Sequence, residues 1–257
     1  MKKISIVIPA YNEEKRIGRT LNSYSDFFNK FKNKLDYEII VVINNTNDRT
    51  EDIVNNIRVK NKKIKCLNFK KGGKGFAVLE GFKESLKGNN NLIGFVDADM
   101  ATSPDAFYEL IKQINNYDGV IASRYIRGAI VKPKPKFQRL IVSRMFNFVI
   151  RVMFLMPYRD TQCGAKLFKR YALEKVLQDL GMSKWAFDVE LLYNLRKNKY
   201  KIKEIPTNWA DQEYSKINFL KAGPFMVLAI IRLRILNSAF KKFIRIYDKF
   251  VSKLIKI

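Results

Sequence analysis

The chain contains no histidine among its 257 residues, and this absence removes several kinds of chemistry. Without an imidazole there is no Ser-His-Asp triad, no histidine general base and no ordinary histidine-containing zinc site. The two cysteines, Cys66 and Cys163, have no CxxC spacing and are too few for a disulfide scaffold, which favours a reducing compartment. Any chemistry must therefore rest on carboxylates, cations, hydroxyls or a bound metal.

Acidic residues are scarce as well, with 24 Asp and Glu against 49 Lys and Arg and a net charge of +25. This excess favours a polyanionic partner: nucleic acid, anionic lipid headgroups or a phosphorylated substrate. A generally lysine-rich composition is the alternative explanation. The sequence has no zinc-finger spacing and no RNP-type aromatic strand, and its basic residues concentrate beside apolar stretches near the C-terminus. We therefore expect phosphate and lipid partners and no nucleic acid.

No apolar run reaches the roughly 20 residues that a membrane-spanning helix needs. Residues 137–156 and 219–257 instead mix apolar side chains with arginines and lysines, a pattern typical of helices that lie in the interface of an anionic bilayer. Packing on the protein's own core or on another chain is the alternative. The N-terminus runs straight into a strand pattern without a signal peptide. These features predict a peripheral, monotopic protein on the cytoplasmic face of a membrane, with no spanning helix.

Short β-rich runs alternate with helical stretches in the first half of the chain. This alternation predicts βαβ units and a mostly parallel sheet flanked by helices, an α/β fold. Ligands of such sheets bind beyond the carboxyl ends of the strands. Because polar segments follow three of these strands, at 9–12, 44–45 and 97–99, we expect the three to converge on one crevice. The predicted strands are Ile4–Ile8, Glu38–Ile43, Ile64–Asn68, Leu92–Val96 and Val120–Ala122, and the predicted helices are Arg16–Asn29, Glu51–Val59, Gly75–Leu86 and Asp105–Ile114.

The segment Asp97-Ala98-Asp99 ends an apolar run with two carboxylates one residue apart. Such a pair at a strand exit can hold a hard cation, Mg²⁺ or Mn²⁺, against a diphosphate. The alternative is a solvated Asp-rich turn that caps the helix after Pro104.

Four further segments accompany this acid pair in a fixed order: residues 3–14, 71–77, 160–168 and 184–192. In that order and spacing the five segments resemble inverting family 2 glycosyltransferases of the GT-A fold, of the dolichyl-phosphate hexose synthase type, over roughly residues 3–220. The resemblance implies a Rossmann-like GT-A catalytic domain over residues 1–218. The remaining residues, 219–257, are then expected to form a basic amphipathic helical membrane-surface segment.

The resemblance also implies a nucleotide-sugar site with a divalent metal at Asp97 and Asp99. Two positions depart from the family pattern: Asn44-Asn45 replaces an Asp-Asp pair that contacts base and ribose, and Ala101 replaces a glutamine of many mannosyl-type relatives. The second departure favours UDP-glucose over GDP-mannose. Asp48 is alternatively a helix cap. The implied donor-binding residues are Pro9, Ala10, Tyr11, Glu13, Asn44, Asp48, Lys74, Asp97, Ala98 and Asp99.

On the acceptor side, the resemblance implies a polyprenyl monophosphate that is positioned by arginines. Such a phosphate is already largely dianionic at neutral pH and needs no strong base, which suits a chain without histidine. A solvated amphipathic face is the alternative for the arginines. The implied substrate-binding residues are Arg124, Arg139, Ser143, Asp160, Gln162 and Lys216. Of these, Asp160 and Gln162 are implied to hold sugar hydroxyls. Another distinctive motif contains Trp185, Asp188 and Glu190, of which Glu190 is alternatively a helix-surface residue.

The predicted function is inverting transfer of a hexose, with glucose favoured, from a nucleotide diphosphate sugar to dolichyl phosphate. The product, a dolichyl β-phosphosugar, would serve protein or lipid glycosylation. Asp97, Asp99, Arg124 and Arg139 are the predicted catalytic residues. The alternatives are GDP-mannose or a UDP-N-acetylhexosamine as donor, a glycan as acceptor and, outside this class, a basic nucleic-acid-binding protein.

Overall fold

A seven-stranded sheet forms the centre of the computed structural model, which describes residues 1–135, 137–180, 186–210 and 219–254. The strand order is β3-β2-β1-β4-β7-β5-β8, and neighbours are parallel except that β7 is antiparallel to both β4 and β5. The mostly parallel α/β sheet predicted from the sequence is thereby confirmed. The strands of this sheet are β1 Lys2–Ala10, β2 Leu35–Asn44, β3 Ile64–Phe69, β4 Leu92–Val96, β5 Gly119–Ser123, β7 Ala165–Lys169 and β8 Ile202–Pro206, and a separate two-stranded sheet pairs β6 Ile130–Val131 with β9 Asn208–Trp209.

Helices cover both faces of the sheet because the central strands are apolar on both faces. In β1, Ile4, Ile6 and Ile8 face one cluster of buried side chains, whereas Val7 faces the other. The first cluster includes side chains of α1, α2 and α4, and the second includes side chains of α3 and α5 to α8. The helices are α1 Ile17–Asn29, α2 Thr50–Lys60, α3 Lys74–Lys87, α4 Pro104–Gln113, α5 Phe137–Phe154, α6 Arg170–Leu177, α7 Phe187–Lys197, α8 Phe219–Leu236 and α9 Ile244–Leu254, with a 3-10 helix at Ala239–Phe243.

The first strand continues beyond its predicted end at Ile8 and includes Pro9, which is paired with Val42 of β2. On its other side β1 pairs with β4 only at residues 4–7. Since Pro9 has a partner strand on one side alone, its missing N–H does not interrupt a two-sided ladder. The predicted end of this strand at Ile8 is corrected: the strand ends two residues later, at Ala10.

The C-terminal helices are attached to the rest of the fold. Helix α8 packs against α5, and its residues Ile230 and Leu233 are buried in the second apolar cluster. Arg232 of α8 forms an ion pair with Asp248 of α9, with 2.8 Å between Nε and Oδ1. Among the residues described, no helix combines enough length with enough apolar character to cross a bilayer.

Candidate active site

The carboxyl ends of β1, β2 and β4 lie side by side in the sheet, and the segments that follow them are joined by hydrogen bonds. The Asn12 amide donates to Thr46 Oγ1 (3.3 Å), and the Asn47 amide donates to Asn12 Oδ1 (2.8 Å). Thr20 Oγ1, on α1, donates to the Ala98 carbonyl at 2.7 Å. The predicted convergence of the three segments on one edge of the sheet is thus observed.

Glu13 and Arg16 form a paired group at the end of β1. The guanidinium of Arg16 donates two hydrogen bonds to Glu13, from Nε to Oε2 at 2.6 Å and from Nη2 to Oε1 at 2.7 Å. The third nitrogen, Arg16 Nη1, is buried and has no hydrogen-bond partner among the described residues. Buried hydrogen-bond donors in proteins rarely lack an acceptor. The unpaired nitrogen therefore indicates a place where a ligand could supply an acceptor atom. The sequence predicted that Glu13 binds the nucleotide-sugar donor, but it gave no prediction for Arg16.

Asn44 is the last residue of β2 and Asp48 follows this strand, and the two side chains differ in their hydrogen bonds. Asn44 is 2% exposed, and its Oδ1 is buried without a hydrogen-bond partner in the described part of the chain. Asp48 instead accepts hydrogen bonds from the Thr50 amide (3.0 Å) and hydroxyl (2.5 Å) at the start of α2, and from the Glu14 amide (3.2 Å). The geometry leaves Asn44 with an acceptor that a ligand N–H would satisfy. Asp48 is tied to the first residue of α2, although the N-cap position of that helix is Arg49. Tyr11, at 46% exposure, borders the same edge.

Asp97 and Asp99 follow β4 and are close enough to affect each other's ionisation. Asp99 Oδ1 accepts a hydrogen bond from the Ala101 amide at 2.9 Å. Burial of Asp99, together with the negative charge of Asp97, raises the pKa of Asp99 to about 6. A carboxyl group with such a pKa gains from a nearby cation, because the cation offsets both burial and like-charge repulsion.

Lys74 supplies one such cation. Its Nζ lies 2.5 Å from Asp97 Oδ1. Burial disfavours the charge on this ammonium, but the carboxylates of Asp97, Asp188 and Asp99 outweigh burial and raise the pKa of Lys74. The preceding Gly73 has φ = 124°, a value that glycine adopts without strain, and it sets Lys74 at the first turn of α3.

Gly164 packs directly on the other oxygen of Asp97. A Cβ at position 164 would lie 1.8 Å from Asp97 Oδ2 and 2.4 Å from its Cγ. With the Asp97 carboxylate in this position only glycine fits at 164, so the loop before β7 leaves the room that this carboxylate occupies. This glycine lies within one of the motifs that carry the family resemblance, but its contact with Asp97 was not predicted.

A hard divalent cation fits this donor set. Both Asp97 and Asp99 offer oxygen ligands, which Mg²⁺ and Mn²⁺ prefer, and Lys74 shows that a positive charge is accommodated there. No group of three or more His, Cys, Asp or Glu side chains suited to a metal occurs among the described residues. Two protein carboxylates leave most of the coordination sphere to phosphate oxygens and water, as is common for Mg²⁺.

Lys166 and Asp188 form a second ion pair, and Asp188 is close enough to Lys74 to affect its ionisation. The Lys166 ammonium is fully buried and donates to Asp188 Oδ1 and to the Cys163 carbonyl, both at 2.6 Å. The ring of Phe95 lies 5.2 Å from Lys166 Nζ and 5.6 Å from Lys74 Nζ. Lys166 therefore ties the loop that contains Gly164 to helix α7. Sequence reasoning did not identify this lysine.

Arg124 is clamped by Asp160. Arg124 Nε and Nη2 donate to the two carboxylate oxygens at 2.8 and 2.9 Å, and its backbone amide donates to Oδ2 at 3.0 Å. Asp160 has no exposed surface. Burial works against ionisation of Asp160, but Arg124 reverses this effect and lowers its pKa. In this structure Asp160 positions an arginine, and its predicted contact with sugar hydroxyls stays a prediction.

Trp209, in β9, brings two predicted acceptor residues together. The guanidinium carbons of Arg124 and Arg139 lie 5.2 and 5.9 Å from its ring centre, within the range of cation–π attraction. Ser143, one turn beyond Arg139 in α5, shares a 2.6 Å hydrogen bond with the Tyr125 hydroxyl. No linear pattern pointed to Trp209, because it is remote in sequence from the residues it contacts.

Trp209 also contacts the segment that directly follows Asp97 and Asp99. It forms a β-bridge with Thr102, and the next amide, of Ala210, donates to the Ala101 carbonyl at 2.8 Å. A small pocket of about 210 Å³ opens between Met100, Ala101 and Trp209. The predicted acceptor arginines and the acid pair thus border one continuous edge of the protein.

The remaining predicted residues fall into three groups. Gln162 is partly buried and donates to Thr161 Oγ1 at 3.4 Å. Glu190 is 4% exposed in α7, so the alternative that it is a surface residue is wrong. Trp185 and Lys216 lie outside the described residues.

Comparison with known proteins identifies the class. The model of glycosyl transferase family 2 matches residues 5–177, and the chain belongs to this family. Over 244 residues it is 32% identical to the dolichyl-phosphate beta-glucosyltransferase of Dictyostelium discoideum, covering 90% of this chain and 73% of that protein. Over 258 residues it is 31% identical to the human dolichyl-phosphate beta-glucosyltransferase, covering 93% and 78%.

A solved structure shows the same fold. The glucosyl-3-phosphoglycerate synthase from Mycobacterium tuberculosis, crystallised with Mn²⁺, UDP and phosphoglyceric acid, superposes with a TM-score of 0.64 at 16% identity. The match covers 91% of this chain and 78% of that one. The GT-A glycosyltransferase fold predicted from the sequence is confirmed.

Proposed function

We propose that this chain transfers glucose from UDP-glucose to dolichyl phosphate with inversion at the anomeric carbon. The observation that carries the proposal is the acid pair Asp97 and Asp99 at the end of β4, bordered by the arginines at Trp209. One side of this edge suits a metal-bound diphosphate and the other a phosphate monoester. Relatives named dolichyl-phosphate beta-glucosyltransferase, at 31% and 32% identity, support the choice of glucose and dolichyl phosphate.

On the donor side, the buried Oδ1 of Asn44 would accept an N–H of the base, and Arg16 Nη1 would donate to an oxygen of the nucleotide. Asp97 and Asp99 would hold Mg²⁺ or Mn²⁺. Bound there, such an ion would neutralise charge that develops on the departing diphosphate. Gly164, which has no side chain, would leave room for the Asp97 carboxylate in this position.

On the acceptor side, Arg139 and Arg124 would direct the phosphate of the lipid towards the sugar. One phosphate oxygen forms a bond to the anomeric carbon while the bond from that carbon to the diphosphate oxygen breaks, and the electron pair leaves with UDP. The phosphate dianion carries no proton that must be removed, so no general base is required. Arginine suits this role because its planar fork matches phosphate oxygens.

The test is direct. Purified protein is incubated with dolichyl phosphate, Mg²⁺ or Mn²⁺ and a panel of labelled UDP-glucose, GDP-mannose and UDP-N-acetylglucosamine. Label from UDP-glucose should enter the organic phase as an acid-labile lipid-linked glucose. Transfer from GDP-mannose instead would overturn the choice of donor, and transfer to a water-soluble glycan would overturn the choice of acceptor.

Variants of the acid pair test the metal assignment. Asp97→Asn and Asp99→Asn should each lower turnover by at least about 100-fold, the size of effect seen when one strong transition-state contact is lost. Asp26→Asn is the matched control because Asp26 is an exposed acid near the C-terminal end of α1, away from the end of that helix that borders this edge. Full turnover by both active-site variants would end the metal assignment.

We infer that the protein binds an anionic membrane surface, as a peripheral protein on the cytoplasmic face. Helix α5 exposes a row of large apolar side chains, among them Met145 and Phe148 at 63% each. Phe240 and Ile246 are likewise exposed, at 65% and 67%, beside the lysines and arginines of the C-terminal segment. Apolar side chains next to cations are what an anionic lipid interface attracts. In this proposal residues 219–257 act as the membrane-surface segment beside a catalytic domain of residues 1–218.

Sedimentation with vesicles tests the membrane proposal. Wild-type protein should pellet with vesicles of phosphatidylserine and phosphatidylcholine, and less with phosphatidylcholine alone. The double variant Met145→Glu/Phe148→Glu should lose most of this binding. Val59→Glu is the control, since Val59 is also exposed (67%) but lies on α2. Equal binding by the double variant and the control would contradict the proposal.

A further inference from the structure

Lys74 occupies the place where a second cation would have to bind. Its ammonium lies 2.5 Å from Asp97 Oδ1, one of the oxygens that the proposed metal site requires. Asp188 also attracts this ammonium, but its Oδ1 is already held by Lys166 at 2.6 Å. In the protein without ligands, Lys74 is therefore the counter-ion of Asp97.

An ammonium and a divalent cation cannot both contact the same carboxylate oxygen without strong repulsion between them. For a divalent ion to bind Asp97 through Oδ1, the Lys74 ammonium must move away and find another negative partner; the second oxygen, Oδ2, packs against Gly164. The other carboxylates that act on it are Asp99, which belongs to the metal site, and Asp188, which already neutralises Lys166. A diphosphate bound at this edge would offer new oxygens, and Lys74 stands at the first turn of α3, where helix amides also favour phosphate.

We propose that Lys74 couples metal binding to donor binding: it blocks Asp97 in the free protein and gives up that place only when a nucleoside diphosphate accepts its ammonium. This proposal rests on the proposed function, since it requires the metal and the nucleotide to share this site. Its consequence is that the bare protein binds divalent cations weakly and the nucleotide-bound protein binds them well. Coupling of this kind is reciprocal, so the metal strengthens nucleotide binding by the same factor.

Titration calorimetry with Mn²⁺ in the presence and absence of UDP measures this coupling. Lys74→Met removes the charge and keeps an unbranched side chain that is one atom shorter. Without UDP, this variant should bind Mn²⁺ about tenfold more tightly than wild type, within the usual range of coupling between sites. The ratio of Mn²⁺ dissociation constants without and with UDP should shrink by the same factor. The part of the coupling that comes from phosphate oxygens binding the metal directly should remain.

Two further variants separate the charge of Lys74 from other effects. Lys83→Met is the matched control: Lys83 lies in the same helix and forms an ion pair with Glu80, and its side chain is 49% exposed on the outer face. Lys83→Met should bind Mn²⁺ with the same affinity as wild type, both with and without UDP. Lys74→Arg keeps the charge and should keep weak Mn²⁺ binding in the absence of UDP, which provides a folded comparison should Lys74→Met be unstable.

The outcomes distinguish this proposal from the proposed function. If wild type binds Mn²⁺ and UDP, but neither Lys74→Met nor a second neutral variant, Lys74→Gln, binds Mn²⁺ alone more tightly than Lys83→Met does, the Lys74 proposal is refuted. The proposed function would then still stand. If wild type binds neither Mn²⁺ nor UDP, the proposed donor site fails and the Lys74 proposal fails with it.

Discussion

Gly164 offers a sharp test of the site, because its environment leaves no room for a single methyl group. Replacing it with alanine would place Cβ 1.8 Å from Asp97 Oδ2, whereas ordinary contacts begin at 3.4 Å. The Asp97 carboxylate, the loop or both must therefore shift by about 1.6 Å in total, the difference between these two distances.

The expected loss follows from that displacement. A misplacement of about 1 Å in an active site can cost on the order of 100-fold in rate, which equals about 2.7 kcal/mol of transition-state stabilisation. Gly164→Ala should thus lower kcat/KM for the donor by at least about 100-fold. Overpacking costs typically about 1–3 kcal/mol of stability, so the variant should still fold.

The assay is lipid-linked sugar formation at saturating dolichyl phosphate, combined with Mn²⁺ titration and thermal unfolding. Gly18→Ala is the control: a Cβ there makes ordinary contact, 3.4 Å from Ile53 Cγ2, within α1. It should change activity by less than about twofold, since alanine is well tolerated in helices. If Gly164→Ala kept wild-type activity and Mn²⁺ affinity, the placement of Asp97 as a metal ligand would be refuted.

Three further predictions follow from other contacts. In the metal-free protein, the free energy of unfolding of Asp99→Asn should match that of wild type near pH 4 and exceed it by up to about 3 kcal/mol above pH 6. The reason is that the pKa of Asp99 is raised from 3.8 to about 6, so ionisation of this group destabilises the folded wild-type protein. Asp160→Asn should destabilise the fold by about 3 kcal/mol or more, because it leaves the buried Arg124 guanidinium without its counter-ion. Trp209→Leu should raise KM for dolichyl phosphate about tenfold through lost cation–π contacts with Arg124 and Arg139, with KM for the donor little changed.

Each of these has a simple readout. Urea unfolding between pH 4 and 8 in EDTA measures the Asp99 effect, and parallel curves for variant and wild type would refute it. For Asp160→Asn, an unchanged melting temperature with a raised donor KM would restore the role in binding sugar hydroxyls. For Trp209→Leu, equal rises in both KM values would indicate a general distortion and not a loss of acceptor positioning.

Much of the sheet was predictable because its signals are local. Alternating apolar residues and turn residues located β1 to β5 and the helices between them, and parallel topology then brought three strand ends to one edge. The acid pair was identifiable because it follows one of those strands directly. Helix α5 was also predicted as an amphipathic helix, and it ends within two residues of the predicted end.

The later strands were not predictable in this way. Strand β7 inserts antiparallel between β4 and β5, and nothing in the five residues Ala165–Lys169 fixes that position. Its placement depends on pairing with strands more than forty residues earlier in the chain, such as Phe95 with Lys166. This insertion places Gly164 in contact with Asp97 and buries Lys166 in the interior.

The sequence by itself determined the class of fold, the acid pair, the absence of histidine chemistry and the family, because each is written in short motifs and in their order. Only the tertiary structure decided which charges are paired: Glu13 with Arg16, Asp160 with Arg124, and Asp97 with Lys74. It also brought Trp209 to the two arginines. The reason is physical: the partner of a buried charge depends on distances of a few ångströms, and most of these distances are set by sheet pairings between remote segments.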